Sequence, residues 1–255
     1  MKNSFGSICR DWRKQRRYSQ LQLALELGIS SKHISFIETG RSIPSREMIL
    51  KIGTFLFLPK REINRALYAA GYAPFYTELS HEDEDLKHVF NAIDQMLKNH
   101  MPFPALVLNQ NWDVVNANES AQKLLEDLGF SEHKNLVEAI ISDNPQTSKI
   151  INWHESALTV LVRLRHEISI MGGSKKLEEL EQKLTSCLAP KNDILNIDAS
   201  QPVLSIKLQL PKTVLSFFSM IAQLSTVQDV TVSEYKVELL FPTDDKTKNY
   251  YNFKS

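Results

Sequence analysis

The chain has 255 residues, 42% of them hydrophobic, with 30 basic and 30 acidic side chains. That length suffices for two ordinary domains with real cores, and the hydrophobic share is that of globular protein rather than of a disordered chain. The zero net charge conceals a split: residues 1–76 hold 13 Lys+Arg against 5 Asp+Glu, and residues 77–255 hold 17 against 25.

A basic part joined to an acidic one predicts that only the first meets a polyanion. Cys9 and Cys187 stand far apart and make neither a metal spacing nor a disulfide framework, which fits a reducing cytoplasm. The stretch MKNSFGSICRDW does not read as a signal peptide, and no apolar run approaches the roughly 20 residues of a membrane span. The expected layout is a first domain over 1–76, an acidic linker over 77–85 and a second domain over 86–255.

In chain order, residues 5–17 predict a first helix with Phe5, Ile8, Cys9 and Trp12 as its apolar stripe. Arg10, Arg13, Lys14, Arg16 and Arg17 project elsewhere, and some of them are expected to meet phosphates. Then comes SQLQLALELGISSKHISFIETG, residues 19–40. Ser19 is placed to cap a second helix, Gly28 to end it in a left-handed conformation, and Ser30 to cap a third. Ala24 sits where two helices would cross closely. Ile34 and Ile37 bury one face of the third helix, leaving Ser31, Lys32, Ser35 and Phe36 on the other, free to enter a groove. Gly40 closes the unit.

The joint spacing of Gln20, Ala24, Gly28, Ile34, Ile37, Glu38 and Gly40 resembles the Cro/C1-type helix-turn-helix of the XRE family of bacterial regulators. The resemblance implies double-stranded DNA as partner. Ser31, Lys32 and Phe36 are then the candidates for base reading. Arg13, Arg17, Gln20, His33, Ser35 and Arg41 are the candidates for the DNA backbone; the family places an amide there at the position of Gln20.

Ser45 is placed to cap a fourth helix carrying Met48, Ile49, Ile52, Phe55 and Leu56. Leu58-Pro59 breaks the chain before a fifth helix over 60–70, built on Ile63, Leu67 and Tyr68 and ended by Gly71. The run SSKHISFIETGRSIPSREM, followed by NRALYAAGYAPFY, resembles XRE regulators that carry an MmyB-like C-terminal ligand-binding domain.

Beyond the acidic TELSHEDED, Ser80 is expected to cap a helix with Leu86, Val89, Phe90, Ile93, Met96 and Leu97 on one stripe. His81 and His88 lie seven apart with no third ligand, so a structural or solvent role is expected for both and no metal. Residues 105–108 and 112–117 predict a hairpin about the turn Asn109-Gln-Asn111, and Asn118 a cap for the helix that follows. MPFPALVLNQNWDVVNANESA resembles the opening of the MmyB-like domain. Residues 150–170 predict a long helix with Trp153, Leu158, Leu161 and Leu164 on its apolar side, broken at Gly172-Gly173. Ser174 then caps a helix with Leu177, Leu180, Leu184 and Leu188, too short a repeat for a zipper and so expected in the core. The alternation over 203–210 gives one strand, 214–224 a second, 229–234 a turn and 235–241 the last strand.

The expected fold class is an all-α five-helix repressor-type N-terminal domain and an α+β PAS-like C-terminal domain. The latter has a five-stranded antiparallel sheet with helices on one face. Three function classes are compatible with it. One is a DNA-binding transcriptional regulator with a sensing domain. Another is an enzyme, for which no GxSxG, phosphate loop, zinc spacing or Cys/His dyad is present. The third is an antitoxin-like module whose second domain binds only protein. The MmyB-like resemblance implies a PAS-like domain holding a fatty acid in an apolar pocket, with no other cofactor. Val107, Trp153, Leu161, Leu208 and Phe217 are pocket candidates, each equally suited to plain core. One helix-turn-helix covers a short half-site, so a homodimer through 86–255 is expected.

Overall fold

Helix boundaries in the first part of the chain have local causes that can be named. The computed structural model describes residues 5–80, 83–171, 174–188, 203–224 and 228–252. It begins with α1 (Phe5–Gln15), α2 (Gln20–Leu27), α3 (Ser31–Glu38), α4 (Arg46–Phe55) and α5 (Lys60–Ala69). The Ser19 hydroxyl accepts from the Gln22 amide while the Gln22 side chain accepts from the Ser19 amide, a reciprocal capping box. Gly28 ends α2 at φ 66°, the left-handed region that a Cβ disfavours. Ser30 and Ser45 cap α3 and α4 with the hydroxyl alone, accepting from the His33 and Met48 amides.

The apolar stripes of these helices meet in one core: Trp12, Leu23, Leu27, Ile34, Ile37, Ile49, Ile52, Ile63 and Leu67 are all buried. A side chain on Gly6 would stand 2.6 Å from the Ile37 carbonyl oxygen, so α1 can pass the end of α3 only because that position has none. Two expectations fail here. The first helix stops at Gln15, and Arg17 turns out of it at φ 58°. Tyr68 is 76% exposed, and Ala66 takes its place beside Ile63 and Leu67, because that trio occupies one side of the turn.

The later elements are a 3-10 turn (Glu84–Leu86), α6 (Lys87–Asn99), β1 (Ala105–Leu108), β2 (Val114–Ala117), α7 (Glu119–Leu128) and α8 (Leu136–Ser142). They continue with α9 (Trp153–Met171), α10 (Lys175–Leu188), β3 (Ile206–Leu210), β4 (Thr213–Gln223), α11 (Val230–Ser233), β5 (Lys236–Pro242) and α12 (Asp245–Asn252). The five strands form one antiparallel sheet in the order β2-β1-β5-β4-β3. The chain forms two compact units. One is built on the residues up to Leu79, with the end of α9 from His166 and residues 228–230; the other holds the rest of the second half.

Side-chain alternation along the central strands sorts the second unit into layers. Val107 of β1 and Val237 of β5 pack on Ile93 and Leu97 of α6, with Leu239 beside them. Their neighbours Leu106, Glu238 and Leu240 face the other way, toward α7, α8 and α9. Helices therefore flank both faces of the sheet, not one as expected, because the stripe of α6 needs an apolar surface of its own. Ser80 does not cap α6: Asp83 caps the 3-10 turn, its carboxylate accepting from the Asp85 amide, and α6 runs on from that turn without a side-chain cap. Met96 is 40% exposed and leaves the stripe.

Asn118 ties three elements together. Its side-chain oxygen accepts from the Ala105 and Ala121 amides, and its nitrogen donates to the Leu97 and Phe103 carbonyls. Sequence patterning overlooks α8, capped by Asn135, and α12, whose buried Thr247 accepts from the Ser216 amide of β4. The expected turn over 229–234 contains the short helix α11. Leu177, Leu180 and Leu184 of α10 are buried, in the core role expected of them. His81 and the glycine pair 172–173 lie outside the described residues.

Candidate functional site

Two places in the chain are built for contact with something else: the outer face of α3, and a cavity under the sheet of the second unit. On α3, Ile34 and Ile37 point inward, at 0% and 1% exposure, and this fixes what points outward. Ser31 and Lys32 are exposed, and His33, Ser35 and Phe36 are half-buried. The Lys32 ammonium lies 5.6 Å and the exposed Arg41 guanidinium 5.8 Å from the centre of the Phe36 ring. Two cations thus stand against one aromatic ring, which attracts each of them. They also present positive charge beside the helix.

The anchor of α3 is Glu38, whose side chain is 1% exposed. It accepts from Arg13 Nε at 2.6 Å and from the second terminal nitrogen of Arg13 at 2.9 Å. Gln20 Nε2 donates to it at 2.8 Å, and Arg10 lies 3.7 Å away. Burial acts to raise the Glu38 carboxyl. The hydrogen bonds from Arg13 and Gln20 and the charges of Arg13 and Arg10 outweigh it and hold the group below its ordinary value. Nearby, burial and then the Glu38 carboxylate push the Cys9 thiol up to about 12, against the opposing charge of Arg13.

This corrects one expected role and narrows another. Arg13 is 9% exposed, and its remaining terminal nitrogen donates to the Tyr18 carbonyl, so its guanidinium faces the core and not a phosphate. The reason is charge: α3 buries a carboxylate, and a buried carboxylate requires a cation. Gln20 spends one of its two amide hydrogens on the same carboxylate, leaving one for an outside acceptor. Arg17 and Arg41 are exposed.

The second place is a cavity of about 150 Å³ between the sheet and α7, α8 and α9. Its wall includes Leu106 of β1, Leu124 and Leu128 of α7, Ile140 of α8, Val160 of α9 and Leu240 of β5. Of the five residues expected there, Leu208 and Phe217 line it. Val107 does not, because it faces α6; its neighbour Leu106 takes the role, a one-residue parity difference that sequence alternation leaves open in a strand buried on both faces. Trp153 and Leu161 are buried at 3% and 2% but serve as core, while Thr159, Val160 and Arg163 of the same helix reach the cavity.

Trp112 also forms part of the wall, fully buried, at φ 67°. A bulky residue in the left-handed region is strained and persists only where its surroundings hold it. Here the Asn109 side-chain oxygen accepts from the Asn111 and Asp113 amides, tightening the turn that sets Trp112 beneath the sheet. Arg163 lies against the indole, its guanidinium carbon 4.7 Å from the ring centre, and pairs with Glu238 at 3.0 and 3.4 Å. Lys236 stands 5.3 Å from the same ring.

Among the described residues no group of three or more His, Cys, Asp or Glu is placed to hold a metal ion, and no helix is long and apolar enough to cross a membrane. The family model for the MmyB-like transcription regulator ligand binding domain matches residues 89–251, and that for a helix-turn-helix matches residues 10–63. No curated protein matches the chain.

Proposed function

The chain belongs to the family of MmyB-like transcription regulators, DNA-binding proteins with a ligand-binding domain, and from that premise we propose what it reads and what it senses. It binds specific DNA sequences in the cytoplasm through residues 1–76, as a homodimer held by residues 86–255. Ser31, Lys32 and Phe36 meet base edges, and Arg17, Arg41, His33, Ser35 and the free amide hydrogen of Gln20 meet the backbone. The second unit takes a small apolar ligand of the fatty-acid class, whose arrival changes DNA affinity.

The observation that carries this reading is the apolar cavity in the same chain as a helix with an outward polar face. Its volume of about 150 Å³ suits a compact guest: a dry cavity of about that size accepts benzene. A long acyl chain must widen it or reach out through its open side. The ligand acts only if it binds the DNA-competent and incompetent arrangements with different affinity.

Selection of binding sites from random DNA by the full chain, with and without added acyl ligands, tests the reading. The expected result is an enriched site with two half-sites about 34 Å apart, one turn of DNA. Its affinity should shift when ligand is added. Failure to enrich any sequence removes the regulator reading at the level of DNA. Enrichment with indifference to every apolar ligand favours a second domain that binds only protein.

A further inference from the structure

We infer that Arg163 anchors the guest's head group: the free edge of its guanidinium takes the carboxylate of an acyl chain, so the cavity selects the free acid over its ester. The inference rests on the apolar-ligand reading above and names the head group and the residue that holds it.

A guanidinium carries five N–H donors in a planar fork. Arg163, in the cavity wall, spends two of them on Glu238, one from each terminal nitrogen, at 3.0 and 3.4 Å. The Nε hydrogen and one hydrogen on each terminal nitrogen remain. Nε is closed off from solvent and has no hydrogen-bond partner. A buried charged donor left in that state is costly, and an acceptor brought in by a guest removes the cost. Nε and the terminal nitrogen on its side form a second fork, spaced for the two oxygens of a carboxylate. The group is also held before any guest arrives, by Glu238 at one edge and by the Trp112 ring, whose centre lies 4.7 Å from the guanidinium carbon. Little freedom is then left for it to lose on binding.

The rest of the wall agrees with this placement. Among the described residues Arg163 is its one cation; Lys236 is near Trp112 but is not part of the wall. Two carboxylates share the wall. Glu238 is already paired with Arg163. Glu155 lies eight residues earlier on α9, roughly 12 Å along the helix, where it accepts from the Asn152 side chain. A head group on Arg163 therefore stands well away from Glu155. The side chains of Leu106, Leu124, Ile140 and Leu240 are left for the acyl chain.

Calorimetric titration of the full chain at about pH 8, where a carboxylic acid is ionised, with sodium octanoate and methyl octanoate tests this. The two share an acyl chain and differ in the head group. Octanoate should bind about tenfold or more tightly than the ester. Arg163→Gln should erase that preference while moving the affinity for the ester by less than about threefold, a split that general damage to the cavity would not give. Should that variant fold poorly for want of a partner to Glu238, the double replacement Arg163→Gln with Glu238→Gln leaves no lone charge and should erase the preference in the same way. The ester binding the wild type as tightly as octanoate overturns the inference while leaving the apolar-ligand reading in place. So does a preference that persists, or an equal loss of both compounds, in a folded variant. Binding by neither compound overturns both.

Discussion

Removing Glu38 should loosen the whole helical unit. Its carboxylate holds Arg13 of α1 in a bidentate pair at 2.6 and 2.9 Å and Gln20 of α2 at 2.8 Å, and it is itself part of α3. The Arg13 side chain is 10% exposed. Glu38→Ala therefore leaves a guanidinium buried without a counter-ion, a defect that costs about 3–5 kcal/mol in comparable sites. That is a large part of the roughly 5–15 kcal/mol that stabilises a typical domain. Native-state hydrogen exchange of the full chain reads it locally. Protection of the Leu23, Ile34 and Ile37 amides should fall by roughly 10²- to 4 × 10³-fold, since each 1.4 kcal/mol is about a factor of ten. The double replacement Arg13→Met with Glu38→Leu removes both charges together and should cost much less than Glu38→Ala alone. A loss under about 1 kcal/mol in the single variant would refute the reasoning, for it would mean that water or Arg10 replaces the lost partner at little cost.

Three further outcomes are expected. Because the folded Glu38 carboxyl lies below its unfolded value, its stabilisation is complete above about pH 4.3 and fades as pH falls from there through the folded value. Amide protection in α3 should drop over that window in the wild type and less in the Arg13→Met, Glu38→Leu double variant. Lys32→Ala should cost about 1–3 kcal/mol at one base position and relax preference there, measured by binding to a set of single-base operator variants; equal weakening on all sequences would make it a phosphate contact. Arg41→Ala or Arg17→Ala should reduce the slope of log affinity against log salt by about 0.9, whereas the Arg13→Met, Glu38→Leu double variant should leave it unchanged.

The helix-turn-helix was legible almost residue by residue because its signals are local. Ser19, Ser30 and Ser45 cap helices by bonds to residues three positions on, and Gly28 turns the chain where its lack of a Cβ permits. The inward turn of Arg13 was not legible, since a surface arginine and a buried one look alike until its partner Glu38, 25 residues away, is placed. The strands of the second unit were found by alternation, but not which parity faced the cavity. β1 is buried on both sides, so Leu106 and Val107 carry the same sequence signal and opposite roles. The helices α8 and α12 are short and depend on tertiary bonds, such as that from the Ser216 amide to Thr247, which sequence periodicity does not record. Arg163 and Glu238 lie 75 residues apart, and only the sheet brings them into one wall.

Asn118 is the first of three asparagines that fix the walls of the cavity. With all four of its side-chain hydrogen-bonding sites occupied, it rivets the start of α7 to β1, to the end of α6 and to the Phe103 carbonyl. Prising α7 outward would break several buried hydrogen bonds at once, each costly to leave unmade. Asn135 holds α8 in the same manner: its oxygen accepts from the Val137 and Glu138 amides, and its nitrogen donates to the Asn111 carbonyl and to Asp113. Asn152 joins the start of α9 to β3, donating to the Ser205 carbonyl just before the strand and accepting from the Lys207 amide within it. An asparagine thus pins the first turn of each of the three helices that wall the cavity, and the space between them is set by a fixed frame rather than by helices free to slide.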